Sequence, residues 1–218
     1  MDSITLDAHE ARLFGVLIEK ALTTPDQYPL SLNAATNAAN QKSNRDPVLS
    51  LSEEEVAAAL DSLEKKYLVR RVFSRVERYR HNGKEALGLE MAQLAILAEL
   101  LMRGPQQPGE LRARVSRMSA IESLEQLTAE LTTLIERGFV QRLDPTPGSR
   151  AERYVQLLSP NLHPLDAPPA AVPRVADSGA YDLSARVAVL ETLVDDLRRQ
   201  LNRLAEKLGE PSEESHGE

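Results

Sequence analysis

The basic side chains of this 218-residue chain gather where short runs of alternating character turn back on themselves. One group is Arg70, Arg71, Arg75, Arg78 and Arg80 with His81, preceded by Lys42 and Arg45. A second is Arg112, Arg114 and Arg117, followed by Arg142, Arg150 and Arg153. Cations spaced this way on hairpins and pre-helix loops suit one chemistry, the gripping of phosphate oxygens without reading base edges. The same arginines would equally form a solvated face paired with Glu77, Glu85 or Glu152. Bond-making chemistry has no such support. The chain lacks a Gly-rich phosphate loop, a Gly-x-Ser-x-Gly elbow and an acidic pair with a supporting histidine, so it reads as non-enzymatic. With no cysteine, and with His9, His81, His163 and His216 far apart, neither a metal nor another cofactor is expected.

The elements that must carry these cations are duplicated. Arg75-Val76-Glu77-Arg78-Tyr79 returns as Arg150-Ala151-Glu152-Arg153-Tyr154, each copy after a similar run at 63–71 and 134–142. The repeated unit is an amphipathic helix running into a strand, a turn and a second strand. Asp7 and Glu10 frame a first helix over about 8–21, with Leu13, Val16, Leu17 and Ala21 at helical spacing. Ser31 caps a second helix to about residue 40. The box Ser52 to Glu55 starts a third through Lys66, with Val56, Ala59, Leu60 and Leu63 as its buried stripe. The second repeat places helices at about 91–103, 110–115 and 123–137, then a hairpin turning through 145–149. Tyr79 and Tyr154 are predicted as core residues of the small sheets. The fold expected is mainly α with small β-hairpins (α+β): two tandem winged-helix modules over 1–89 and 90–159. The segments 23–33 and 40–47, dense in Pro, Asn and Asp, either brace the junction between modules or form a recognition surface.

Beyond the modules, residues 160–182 read as a Pro-rich linker, able to reach about 70 Å at ~3.1 Å per residue. Residues 183–208 carry heptads: Leu183, Val187, Leu190, Val194, Leu197, Leu201, Leu204 and Leu208. Valine at two a positions and leucine at d favour a parallel two-stranded coiled coil, hence a homodimer; the alternative is a helix folded back on its own module. Residues 209–218 read as a disordered acidic tail.

Charge weighs on both sides. The net charge is −7, but residues 161–218 alone hold 6 basic and 11 acidic residues, and the rest is nearly balanced. Overall acidity therefore does not exclude DNA. The acids at the presumed reading helices do argue against base readout. Glu53, Glu54 and Glu55, and likewise Glu122 and Glu125, would be repelled by a phosphate-lined groove, and they suit helix caps and macrodipoles better. Asp2 stands where a signal peptide would be basic, and Glu99 breaks the most apolar stretch, Leu94 to Met102, so a cytoplasmic protein without a membrane partner is expected.

Longer motifs bring a resemblance. Glu19-Lys20, then Thr23 to Asn33, then Asn40 to Val48, with Gly104-Pro105-Gln106 and Pro108 to Arg112, resemble the YceH-like family of bacterial proteins over roughly residues 6–160. Ala39 departs from the pattern at a position where the family would place cysteine. The resemblance implies a tandem winged-helix fold and, by analogy of fold alone, DNA binding. The tandem arrangement is also similar to winged-helix subunits of bacterial chromosome-condensation complexes, whose modules hold other proteins. The leading expectation is a dimeric regulator associated with double-stranded DNA. The alternative is a protein-interaction scaffold that touches no DNA.

Overall fold

In the computed structural model, which describes residues 4–73, 75–145, 152–160 and 162–163, the chain is α+β, with helices and small antiparallel sheets in a repeated order. The first repeat runs α1 (Ala8–Thr23), a 3-10 turn (Pro25–Gln27), β1 (Leu30–Ser31), α2 (Leu32–Ala39), α3 (Glu53–Lys65), β2 (Val69–Phe73) and β3 (Glu77–His81). A short α4 (Gly83–Leu87) leads to α5 (Met91–Arg103), α6 (Pro108–Val115), α7 (Leu124–Glu136), β4 (Val140–Leu143) and β5 (Arg153–Gln156). The chain divides into Met1–Asp166 and Ala167–Glu218, and every element named here belongs to the first unit. The heptad positions from Leu183 to Leu208, the acidic tail and nearly all of the Pro-rich segment lie outside the described residues.

The helices start where their side chains satisfy the first free amides. Asp7 Oδ1 accepts from the Glu10 amide at 2.8 Å, and Glu10 Oε2 accepts from the Asp7 amide at 2.7 Å. Ser52 and Glu55 repeat the exchange at 3.2 and 2.8 Å. Ser31 caps α2 through the Ala34 amide, and Ser123 caps α7 through the Gln126 amide.

α1 is buried from Glu10 to Glu19 and α5 from Gln93 to Met102, on every face. Helices apolar all round belong inside, and these two lie against each other at the centre of a single apolar core that runs through both repeats. The repeats read as modules at 1–89 and 90–159 share this core. Gly15 permits the contact: a Cβ there would lie 2.9 Å from Met102 Cγ and 3.2 Å from the Ala98 carbonyl oxygen.

The segment 23–33, dense in Pro, Asn and Asp, contains a strand. β1 pairs with β3, Leu30 opposite Tyr79 and Ser31 opposite Arg78, giving the order β1-β3-β2. Two residues are too few to show strand periodicity, and Ser31 doubles as a helix cap. The second repeat makes the equivalent contact as an isolated bridge, Gln106 with Tyr154. Both tyrosines are buried, as their matched positions in the repeat predict.

Candidate nucleic-acid interface

Register decides which hairpin arginines face solvent. β2 and β3 align Val69 with His81, Arg70 with Arg80, Arg71 with Tyr79, Val72 with Arg78 and Phe73 with Glu77. Side chains alternate, so Val69, Arg71, Tyr79, His81 and Glu77 share the face turned to the helices. Arg71 is consumed there. It pairs with Asp61, with Glu64 at 2.8 Å and with Glu77 at 3.0 Å, and lies 5.7 Å from the Tyr79 ring centroid. The hydrogen bond to Glu77 raises the Arg71 pKa, and Glu77 is lowered by the Tyr79 hydroxyl and by Arg71.

Arg70, Val72, Arg78 and Arg80 share the opposite face. Arg70 and Arg80 are exposed and stand directly across from each other, an arrangement of like charges that destabilises a strand pair unless an anion intervenes. Arg78 is half-buried and donates to the Pro29 carbonyl at 2.8 Å. Arg75 is exposed in the turn. Among the described residues no carboxylate pairs with Arg70, Arg75, Arg78 or Arg80. Glu77, the acid of this hairpin, points to the other face.

The remaining arginines do not join this patch. Arg45 is buried and bonded to Glu19 Oε2 at 2.6 Å, to the Ala38 carbonyl at 3.0 Å and to Gln41 Oε1 at 3.0 Å. Arg117 spans Glu19 at 2.6 Å and Glu99 at 3.1 Å. Arg114 pairs with Glu110 and Gln106, Arg112 donates to the Glu122 carbonyl, and Arg142 pairs with Glu152 at 3.2 Å. Lys42 is exposed, Arg153 is half-buried, and Arg150 lies outside the described residues.

Arg45 and Arg117 belong instead to an ionic cluster between the repeats. Glu19 on α1 and Glu99 on α5 are buried, and Arg103 Nε lies 3.1 Å from Glu99 Oε1. Burial alone would raise the Glu19 carboxyl, but Arg45 and then Arg117 hold it below its ordinary value. Arg12, also buried, donates to the Ala39 carbonyl at 3.1 Å and the Pro47 carbonyl at 2.5 Å; burial, aided by Arg45, draws its pKa down to about 10. Asp46 donates its amide to the Met102 carbonyl, and its own carbonyl lies 2.9 Å from His163 Nε2. The 40–47 segment therefore braces the junction. Sequence reasoning assigned Arg45 and Arg117 to phosphate; the signal that pointed elsewhere is a single acid, Glu19 or Glu99, inside an otherwise apolar helical run.

The third helix of each repeat is poor in cations. α3 exposes Glu53, Glu54 and Asp61, and α7 contains neither Lys nor Arg. Among the described residues no cluster of His, Asp and Glu could hold a metal, and no helix is long and apolar enough to cross a membrane.

These features define a duplicated α+β protein with a basic sheet face and acidic third helices. The chain belongs to the bacterial family described as "Protein of unknown function, DUF480", whose model matches residues 6–160. It is similar to a UPF0502 protein of Aeromonas hydrophila, 44% identical over 215 residues, covering 95% of this chain and 98% of the relative. A UPF0502 protein of Mesorhizobium japonicum is 47% identical over 199 residues, covering 89% and 94%. One of Klebsiella pneumoniae is 42% identical over 215 residues, covering 94% and 98%.

Proposed function

We propose that the two repeats are winged-helix modules of a cytoplasmic, non-enzymatic protein, and that the first wing holds double-stranded DNA by its phosphates. The observation that carries this reading is the outward sheet face of Arg70, Arg78 and Arg80, with Arg70 and Arg80 opposed and no carboxylate on that face. An anion between two facing guanidiniums removes a repulsion that nothing within the described fold relieves. Asp61 and Glu64 of α3 lie against the other side of the sheet, where they are engaged with Arg71. Binding of this kind is independent of sequence, because phosphate contacts position a protein without specifying a site. The heptads at 183–208 would join two such faces and raise their avidity, and truncation after residue 165 should then leave a monomer by sedimentation.

The test is fluorescence anisotropy with random-sequence duplex DNA across several salt concentrations. Log affinity should fall linearly with log salt, and Arg70→Glu with Arg80→Glu should reduce the slope by about 2, since each lost phosphate contact removes ~0.9. Arg71→Gln, on the inner face, should leave the slope unaltered. Absence of binding at low salt, or a slope indifferent to the Arg70/Arg80 double variant, refutes the reading.

A further inference from the structure

α7 differs from its counterpart in a way the DNA reading does not use. Leu124, Thr128, Thr132 and Ile135 occupy one exposed stripe of the helix, within roughly 80° of arc at ~100° per residue. Leu124 is 46% and Ile135 38% exposed. The threonines add to the apolar character: Thr128 Oγ1 donates to the Leu124 carbonyl and Thr132 Oγ1 to the Thr128 carbonyl, each at 2.8 Å. With the hydroxyls satisfied by the helix itself, the methyl groups are what the stripe offers to a neighbour. Exposed Glu125 and Glu136 flank it on the side away from buried Leu127, Leu131 and Leu134, and Glu122 precedes its N-terminal end.

The first repeat supplies the comparison. α3 and α7 are equally long and end in the same turn, so the stripe corresponds to Glu53, Ala57, Asp61 and Glu64. There the stripe is charged, and Asp61 and Glu64 hold Arg71 from β2. In the second repeat the corresponding arginine, Arg142, pairs with Glu152 on its own hairpin instead. The apolar positions of α7 therefore do not repeat a requirement of the fold.

We infer that the α7 stripe is a docking face for a basic amphipathic helix of another protein. Apolar anchors at i, i+4, i+8 and i+11 match the spacing by which one helix lays its apolar face on another. The acidic flank selects the partner. A nucleic acid would meet Glu125 and Glu136 along the exposed flank of the stripe, and a second copy of α7 would bring those acids against their own kind. A helix with Lys or Arg flanking its apolar residues meets opposite charge along that flank.

The test uses the full chain and two fluorescent synthetic peptides, an 18-residue amphipathic helix of leucine and lysine and its leucine–glutamate counterpart. The lysine peptide should bind and the glutamate peptide should not. Leu124→Asp with Ile135→Asp should weaken binding by at least about tenfold, the loss expected when the two large apolar anchors are removed. Glu125→Lys with Glu136→Lys should weaken the lysine peptide and admit the glutamate peptide, whereas Arg70→Glu with Arg80→Glu should change neither. All four α7 positions are exposed, and an unchanged thermal unfolding curve verifies that the variants fold. No binding, binding of both peptides alike, or lysine-peptide affinity indifferent to both α7 variants overturns the inference. Loss of self-association in the Leu124/Ile135 variant would also overturn it, by making a second copy the occupant.

Discussion

Replacing Tyr67 with glycine should stabilise the protein, although it deletes a large side chain. Tyr67 has φ +60°, a left-handed conformation that a bulky residue adopts only under constraint. The constraint is the end of α3: the Tyr67 amide donates to the Glu64 carbonyl at 2.9 Å, and the Leu68 amide to the Leu63 carbonyl at 3.0 Å. α7 ends with the same pair of bonds, from Gly138 to Ile135 and from Phe139 to Leu134, each at 2.9 Å, and there the left-handed residue is glycine at φ +75°. Left-handed geometry costs a non-glycine residue roughly 1–2 kcal/mol. Glycine returns about 0.4–1 kcal/mol of that through its greater freedom in the unfolded chain. The Tyr67 side chain is 76% exposed, so little burial is lost, and its carbonyl keeps the bond from Asn82 Nδ2 at 3.0 Å. Tyr67→Gly should therefore gain about 1 kcal/mol, or ~3 °C in Tm for a unit of this size. The matched control is Gly138→Ala. Its Cβ would enter open space, so the expected loss of about 1 kcal/mol is purely conformational. Calorimetry or urea unfolding reads both. A drop in Tm for Tyr67→Gly, or a neutral Gly138→Ala, would refute the reasoning.

Other outcomes follow from the junction and the sheet. Glu19→Gln leaves buried Arg45, and Arg117 beside it, without their shared charge, and urea unfolding should show a loss of about 3 kcal/mol; under 1 kcal/mol would mean the cluster is not a stabilising one. Gly15→Val drives side-chain atoms into Met102 and the Ala98 carbonyl and should cost about 2 kcal/mol or more by the same measurement. Burial, followed by the charge of Arg80, lowers the His81 pKa to about 4 from 6.5, and Nδ1 accepts the Gly83 amide at 3.3 Å only when unprotonated. Between those values the unfolded chain binds the extra proton, so stability is full above pH 6.5 and falls as pH drops toward 4, by at most about 3 kcal/mol. His81→Gln should flatten that part of a plot of unfolding free energy against pH, leaving a residual slope of the same sign from His163, which burial also lowers.

α1 and α3 were legible because two independent signals agreed at their starts; the short α4, with no side-chain cap at Asn82, was not. Asp7 with Glu10 and Ser52 with Glu55 mark starts that the apolar spacing then continues, and the structure makes both reciprocal bonds. The hairpins were legible from the repeat, which aligned Tyr79 with Tyr154. What the sequence could not supply was the side of the sheet on which each arginine falls. Arg70 and Arg71 look equivalent in sequence, but one residue of register sends Arg70 to solvent and Arg71 to Asp61, Glu64 and Glu77. Nor could it show that Arg45 and Arg117, far apart in sequence, converge on Glu19, because that meeting depends on α1 packing against α5. Glu19 and Glu99, acids bordering or within apolar runs of those helices, were the trace it left.

The divergence of the two repeats follows from where each directs its hairpin arginine. In the first, Arg71 crosses to α3 and neutralises Asp61 and Glu64, which closes the helix stripe with charge and leaves the far side of the sheet to Arg70, Arg78 and Arg80. In the second, Arg142 stays with Glu152 at 3.2 Å, and α7 keeps its Leu124-to-Ile135 stripe open beside a flank of acids. One duplicated fold thereby presents a cationic sheet face at one repeat and an acidic, apolar helix face at the other. Opposite charge keeps their ligands apart: a polyanion is repelled by α7, and a basic helix is repelled by the outer face of β2 and β3. The Arg70/Arg80 and Leu124/Ile135 variants should accordingly act without coupling, each weakening one interaction and sparing the other, as expected for distant sites that share no partner.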